Sequence, residues 1–434
     1  MARQPGFYGW KLLAAFWLIL FTNFAFPLYG ASVINAYMAA DLHMDRAALG
    51  LAYGLFQWMV GLPAPLVAMC INKKGVRFTM VLGCMGVIAG ALLMAFVVRT
   101  TLQVYLVFGV LIGLSALSGG VLGAQAGISR WFLKGKARAI TLVHTGSSIG
   151  GFVAAPVLNR VIAASGGNWR AGWLLIAGLS FVATLLAAFF IKESPSDLGQ
   201  LPDGAPAAGT AVSQAGHAEA SRGVYKTADE WTFGEVFRTP AIWLFLIAIL
   251  GFSAGYPLFL AHGIVHLRDL GYTPAAAAFS VSIMLLSSLG GTLLFAAVAD
   301  RVEPRLIWAA ASVAFGVGMI LALRASGAAG LYLYAICLGA GFGTSFSAMM
   351  ALPANYYGHR AYAPIVAIVI AVGTTAGAAG PFVAGYIYDR AGSYSPAFYA
   401  VSGLSFVAAV LLLFATPPVR RRAPAIAQAS AAVF

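Results

Sequence analysis

Twelve times along this chain a run free of Asp, Glu, Lys and Arg continues long enough to cross a lipid bilayer. The runs are 12–40, 47–72, 78–98, 100–129, 139–159, 171–191, 239–267, 270–299, 306–323, 325–359, 361–388 and 391–419. A membrane-spanning segment is helical because every backbone polar group inside lipid must bond within it, and it needs about 18 to 20 such residues to cross a core about 30 Å thick at about 1.5 Å per residue. A soluble chain would place charge on the outer face of each helix, whereas only 9% of these residues are charged and the mean hydropathy is +0.87. The expected fold class is an all-α polytopic membrane protein with twelve transmembrane helices.

The few charges that remain set an expected orientation. With odd-numbered spans leading outward, nineteen of the 26 basic residues fall on one side and seven on the other. The richer side should face the cytoplasm, placing both termini there, in the inner (plasma) membrane of a bacterial-type cell. This asymmetry also accounts for the net charge of +13 without a nucleic-acid partner. Cys70, Cys84 and Cys337 lie in or at the ends of apolar runs, so no disulfide framework is expected. Eleven further runs follow the first, which reads as an anchor rather than a removed signal peptide.

The chain divides at one long hydrophilic stretch. Residues 192–238 are rich in Ala, Gly, Pro and Ser and hold seven of the thirteen acids, as expected of a cytoplasmic linker. The resulting domains are 1–191, with six helices, and 239–419, with six more, followed by a tail at 420–434. The halves echo each other. AMCINKKGVR (68–77) and AAVADRVEPR (296–305) end the second and eighth spans at an offset of 228, and the openings of the sixth and twelfth spans repeat at 225. Parallel six-helix pseudo-repeats of this kind place a substrate path at their interface near the bilayer midplane.

The 68–77 and 296–305 segments resemble the loop motif of the major facilitator superfamily, Gly-x-x-x-Asp-Arg/Lys-x-Gly-Arg-Arg/Lys. Asp300 and Arg301 match it in the second copy, and Lys73, Gly75 and Arg77 in the first; Ala68 and Asn72 replace its Gly and Asp. The resemblance implies a gate formed by Asn72, Lys73, Arg77, Asp300, Arg301 and Arg305 at the cytoplasmic ends of the helices. With Asn72 in place of a carboxylate, Asp300 is expected to carry more of that gate.

Within the superfamily the chain is most similar to the monocarboxylate transporters and the oxalate/formate antiporters. The markers are PGFYGWK (5–11), FAFPLYG (24–30), WFLKGKARAITLVHTGSSIGG (131–151) and LAHGIVHLRDLGYTPAAAA (260–278), in family order. The resemblance implies the major facilitator fold and transport of a small organic anion. It also exposes a departure. The eighth-span arginine of the monocarboxylate transporters falls on Thr292, the preceding acid on Ser288, and the first-span lysine on Leu28. The antiporters' lysine in span eleven has no counterpart, since 361–388 is uncharged.

The candidate substrate site is therefore Leu28, by its place at the family's lysine position, with the remaining polar groups within the spans: Tyr29, Asn35, Gln57, Gln125, His144, Ser148, Tyr256, His262, Ser288 and Thr292. Such groups are costly in lipid unless partnered or facing water. His144 stands well inside a span with Ser147 and Ser148 on its face, and its ordinary pKa of about 6.5 suits proton coupling or anion binding. His262, near the outer end of span seven, is a candidate for substrate entry; His262 and His266 share the i, i+4 spacing of metal ligands but lack an evident third, so no metal is expected. GSSIG (146–150) has the spacing of a serine-hydrolase elbow, but that motif needs a strand-turn-helix, so catalysis is not expected.

The expected function is a proton-coupled or exchanging secondary transporter of a monocarboxylate or aromatic acid, not an enzyme and without a cofactor. Its alternatives are a polyspecific exporter of neutral or lipophilic compounds and, from another class, an intramembrane hydrolase. Reporter fusions near Ala208 and after Arg422 test the orientation. Both should report a cytoplasmic location; an extracytoplasmic signal at either would overturn the twelve-span arrangement.

Overall fold

The computed structural model describes residues 7–133, 136–204, 224–227, 229 and 231–419. Arg3, Lys134, Arg222, Arg420, Arg421 and Arg422 lie outside these, as do Pro5 and Gly6 of the first family marker, much of the 192–238 linker and the tail 420–434.

The charge-free runs are helices: α1 (Gly9–Asp41), α2 (Arg46–Gly61 and Ala64–Lys74), α3 (Val76–Phe96), α4 (Thr101–Trp131), α5 (Arg138–Ala164), α6 (Arg170–Phe190), α7 (Pro240–Asp269), α8 (Pro274–Val298), α9 (Pro304–Leu323), α10 (Gly327–Gly358), α11 (Pro364–Ala391) and α12 (Ser395–Phe414). Eleven are each long and apolar enough to span a membrane, and α2 makes the twelfth as a span bent by 42°. The bend falls at Leu62 and Pro63, where proline interrupts the helical hydrogen bonding. Val76 opens α3 and Pro304 opens α9, 228 positions apart, while Arg170 and Ser395 open α6 and α12 at 225, so the repeat read from sequence is a repeat of helices.

Because lipid tails are as apolar as leucine, helices in a bilayer gain little from hydrophobic burial against each other and depend on close packing. Glycine supplies the closeness. A Cβ at Gly146 or Gly150 of α5 would press on the Trp17 and Phe21 carbonyls of α1, and one at Gly380 would collide with the Ala254 carbonyl of α7. The first six spans meet the last six chiefly along two seams, with α7 also touching α1 and α2. In one, Gly50 and Gly54 of α2 lie against the Pro381 and Ala378 carbonyls of α11, and Gly385 lies against the Arg46 carbonyl. In the other, Ser282 of α8 donates to the Phe152 carbonyl of α5 at 2.6 Å, beside an edge-on Phe152–Phe279 contact.

The α2–α11 seam runs only as far as Gly61 and Thr374. Beyond the bend, Ala64–Lys74 packs on α3 and α4 of its own half instead of α11. The halves are thus joined at the end of the bundle that holds Arg46 and diverge toward the end that holds Gly75 and Arg301.

Gly75 lies between α2 and α3 at φ +91°, a conformation favouring glycine, and a side chain there would meet the Glu193 carboxylate. Glu193 accepts from the backbone N–H groups of Val76 (2.9 Å) and Arg77 (2.8 Å) and pairs with Arg130 at 2.7 Å. It caps the first turn of α3 and ties it to the ends of α4 and α6. Glu193→Ala should therefore lower the thermal unfolding midpoint, through a loss of about 1 to 2 kcal/mol. Asp300→Ala should change it less, because Asp300 is exposed and its nearest partner is Lys226 at 3.6 Å. Equal shifts in a fluorescence melt would contradict this assignment.

Candidate functional site

The site is built around an irregular stretch of α1. Pro27 has no backbone N–H to bond the Asn23 carbonyl, and the helix widens into π-helical turns at Leu20–Phe24 and Phe26–Gly30. Such turns leave carbonyls to be satisfied from outside the helix. The Leu28 carbonyl takes the Tyr53 hydroxyl of α2 at 3.0 Å, and Asn23 donates through Nδ2 to the Gly119 carbonyl of α4 at 3.2 Å. The Leu28 side chain itself is buried apolar packing.

The widened segment carries Tyr29 toward α5, where its ring lies against Gly151, and Ser147 is buried on the same stretch of α5. The later part of α1 and the first part of α2 both pack on α7, which carries Tyr256. Tyr256 is buried and stacks on Phe342 of α10 with centroids 3.6 Å apart and planes at 9°.

One turn along α5, His144 bonds to Gln125 of α4, Nε2 to Nε2 at 2.9 Å. With the amide nitrogen donating, the ring nitrogen accepts, so the imidazole is neutral and its proton sits on Nδ1. Protonating Nε2 requires the Gln125 amide to present its oxygen instead. With the amide turned to present its oxygen, Nε2 can carry a proton, so the bond can run in either direction. The neighbouring Thr145 accepts from the Trp17 indole at 2.9 Å, which fixes this part of α5 on α1.

The other candidates are scattered. Gln57 and Ser148 are half-buried on α2 and α5. Asn35 is fully buried on α1, and neither its amide nitrogen nor its oxygen has a partner among the described residues. Ser288 lies where α8 and α10 approach so closely that a Cβ at Gly343 would strike its carbonyl. Thr292 donates to the Gly343 carbonyl at 3.3 Å, and Thr344 returns a bond to Gly291 at 3.0 Å. The position that the family resemblance gives to an arginine here stitches α8 to α10.

His262 differs from its expected place at substrate entry. It is fully buried, Nε2 bonds the Pro381 carbonyl at 2.8 Å, and Nδ1 faces the Tyr394 hydroxyl at 3.1 Å. A carbonyl only accepts, so Nε2 carries the proton and Nδ1 accepts from the phenol; both nitrogens are used in joining α7, α11 and α12. His266 likewise bonds the Ala322 carbonyl at 3.0 Å, so the two Nε2 atoms face backbone carbonyls on different helices rather than a common point.

The gating candidates also stand differently from expectation. Asn72, Lys73 and Arg77 are exposed at the end of α2 and start of α3, and Asp300 and Arg301 are exposed after α8. Arg305 donates to the Leu413 carbonyl of α12 at 2.8 Å, and Glu303 accepts from the Tyr225 backbone N–H. Each of these contacts stays within one half or reaches the linker. None crosses between halves, because the halves are apart at this end. The carboxylate that acts near Asn72 is Glu193, more than a hundred residues downstream, which accepts from Val76 and Arg77 and pairs with Arg130. No local pattern announces that contact.

A bundle of eleven spans and a twelfth bent one, in two repeats, has the architecture of secondary transporters. The chain belongs to the Major Facilitator Superfamily, whose family model matches residues 12–363 and 263–433. It is 25% identical over 430 residues to monocarboxylate transporter 13 of Bos taurus, covering 96% of this chain and 91% of that protein. It is 22% identical to monocarboxylate transporter 1 of Homo sapiens, covering 94% and 84%, and 25% identical to an Agrobacterium vitis protein whose name proposes tartrate transport, covering 87% and 83%. Among solved structures it is similar to a nucleoside transporter (TM-score 0.70, 16% identity, 93% and 99% covered). It is also similar to a bacterial homolog of the human lysosomal transporter Spinster in an inward-facing, unoccupied conformation (TM-score 0.66, 18% identity, 95% and 96% covered). The superfamily is one of transporters, and the chain is a multi-pass membrane transporter rather than an enzyme.

Proposed function

We propose that this transporter carries a small organic anion, a monocarboxylate or aromatic acid, by alternating access with proton symport or exchange. The observation that carries the reading is the Gln125–His144 pair: an ionisable group with a polar partner, on the stretch of α5 that also holds the buried Ser147 and meets the Tyr29 ring at Gly151. Supporting it, the monocarboxylate transporters and the tartrate-named protein align over most of their length. The orientation proposed with it places the linker, both termini and the diverging end of the bundle at the cytoplasmic face of the inner membrane. The functional units proposed are 1–191 and 239–419.

An anion leaving water for a site without fixed cations loses several kcal/mol of hydration unless a positive charge meets it. A protonated His144 would supply that charge, and the proton would travel with the anion. Tyr29, Ser147 and Ser148 would donate to the carboxylate, with Asn35 and Gln57 further along the path. The stacked Tyr256 and Phe342 rings would give an apolar flank to a planar acid. Neutral donors bond a carboxylate more weakly than a bidentate arginine does, so affinity should be modest.

Uptake into proteoliposomes tests this. Transport of a monocarboxylate should rise several-fold from about pH 8 to about pH 5.5, as His144 gains its proton. His144→Ala should flatten that profile, Gln125→Ala should displace it, and Thr292→Ala should weaken transport without abolishing it. Saturable transport of a neutral compound that is the same at both pH values, with no competition from carboxylates, would replace this reading with the exporter of neutral or lipophilic compounds. That second reading is favoured by the absence of fixed charge from the span interiors.

A further inference from the structure

At the end of the bundle where the halves are joined, charged groups cross between them. The Arg46 guanidinium, at the start of α2, reaches both oxygens of Asp269 at the end of α7, through Nη2 at 3.3 and 3.1 Å. It lies over the Tyr388 ring of α11, 5.1 Å from its centroid, and the Tyr388 hydroxyl meets Asp269 at 3.4 Å. Asp389 of α11 accepts the backbone N–H groups of Arg46 (3.0 Å) and Ala47 (2.8 Å), so a carboxylate from one half caps a helix of the other. Within α2 itself, Asp45 caps Ala48 at 2.6 Å.

The remaining ion pairs among the described residues do not cross in this way. Arg130–Glu193 and Arg170–Asp41 lie within the first half, and Lys226–Asp300 joins the linker to α8. The charged bridge between halves is confined to the end that is shut.

We propose that Arg46, Asp269 and Asp389 form the latch that holds this end of the transporter closed, and that releasing them admits the state open at this end and closed at the other. This inference rests on membership of the superfamily and is independent of the substrate. The latch is built to break cheaply. A cavity of about 560 Å³ borders Arg46, Asp269, Tyr388 and Asp389, so water can replace each lost hydrogen bond. The α2 N-terminus keeps its own Asp45 cap when Asp389 withdraws, so the helix survives the opening. Directly below, Gly385, Gly50 and Gly54 hold the backbones of α2 and α11 in contact, and the charges and glycines act together. Removing a latch charge and wedging the glycine seam should then bias the same equilibrium in the same direction.

Distances between spin labels on the full chain test this, with Cys70, Cys84 and Cys337 replaced by serine. One pair, Asn168→Cys with Ser326→Cys, reports the Arg46 end; the other, Lys74→Cys with Arg301→Cys, reports the opposite end. Asp389→Asn and Arg46→Ala should each raise the population with a long Asn168–Ser326 distance roughly fivefold, while shortening the Lys74–Arg301 distance. Gly54→Val should act likewise, and Asp389→Glu should stay near the unmodified protein. Unchanged distances in both Asp389→Asn and Arg46→Ala would overturn the proposal. So would widening at the Arg46 end without closure at the other, since that marks a contact with no coupling to access.

Discussion

Close approach of helix backbones at glycine is the constraint on which this structure depends. Lipid offers no hydrophobic reward for bringing two apolar helices together, so packing distance decides which helices associate. Where glycine faces a carbonyl, as Gly54 faces Ala378 and Gly150 faces Phe21, no side chain can intervene. The same contacts that make the bundle coherent leave it able to move, because the α2–α11 seam is narrow and ends at the Pro63 bend. Past that bend α2 returns to its own half, and the two six-helix units separate.

The uncharged interior follows from the same economy and shapes the chemistry. A fixed lysine or arginine midway through a span would need a partner or water at every stage of the cycle. Here the Thr292 hydroxyl joins α8 to α10, and the inventory shifts toward Tyr29, Ser147, Gln125 and His144. A histidine gains charge only when a proton is supplied, so the cost of a buried cation is met when an anion is present to offset it. Under the proposed function, proton, anion and one hydrogen bond are thereby linked.

Much of the fold was legible in the sequence, and the reason is physical. Twelve long charge-free runs admit few arrangements, and the 228- and 225-residue repeats carry through to the starts of α3 and α9 and of α6 and α12. The irregularities in α1 and α2 fall at Pro27 and Pro63. Contacts between distant helices were not legible. The Gly50–Gly54 spacing says that some helix comes near, but not that α11 does. Glu193 sits in a polar stretch and acts on residues 76 and 77, which no local pattern connects. The burial of His262 is hidden for the same reason: its two partners, Pro381 and Tyr394, lie more than a hundred residues away. The central site was legible only as a polar inventory, because pairs such as Gln125 with His144 exist through packing.

The most direct test of the central claim, that an anion meets its positive charge on His144, is ligand-induced stabilisation of the purified protein. Thermal unfolding would be followed with a monocarboxylate and with its uncharged amide, at about pH 6 and about pH 8. The account predicts that the carboxylate raises the unfolding midpoint, more at the lower pH, that the amide does not, and that His144→Ala removes the pH dependence. Equal stabilisation by the acid and the amide at both pH values, unchanged in His144→Ala, would contradict it.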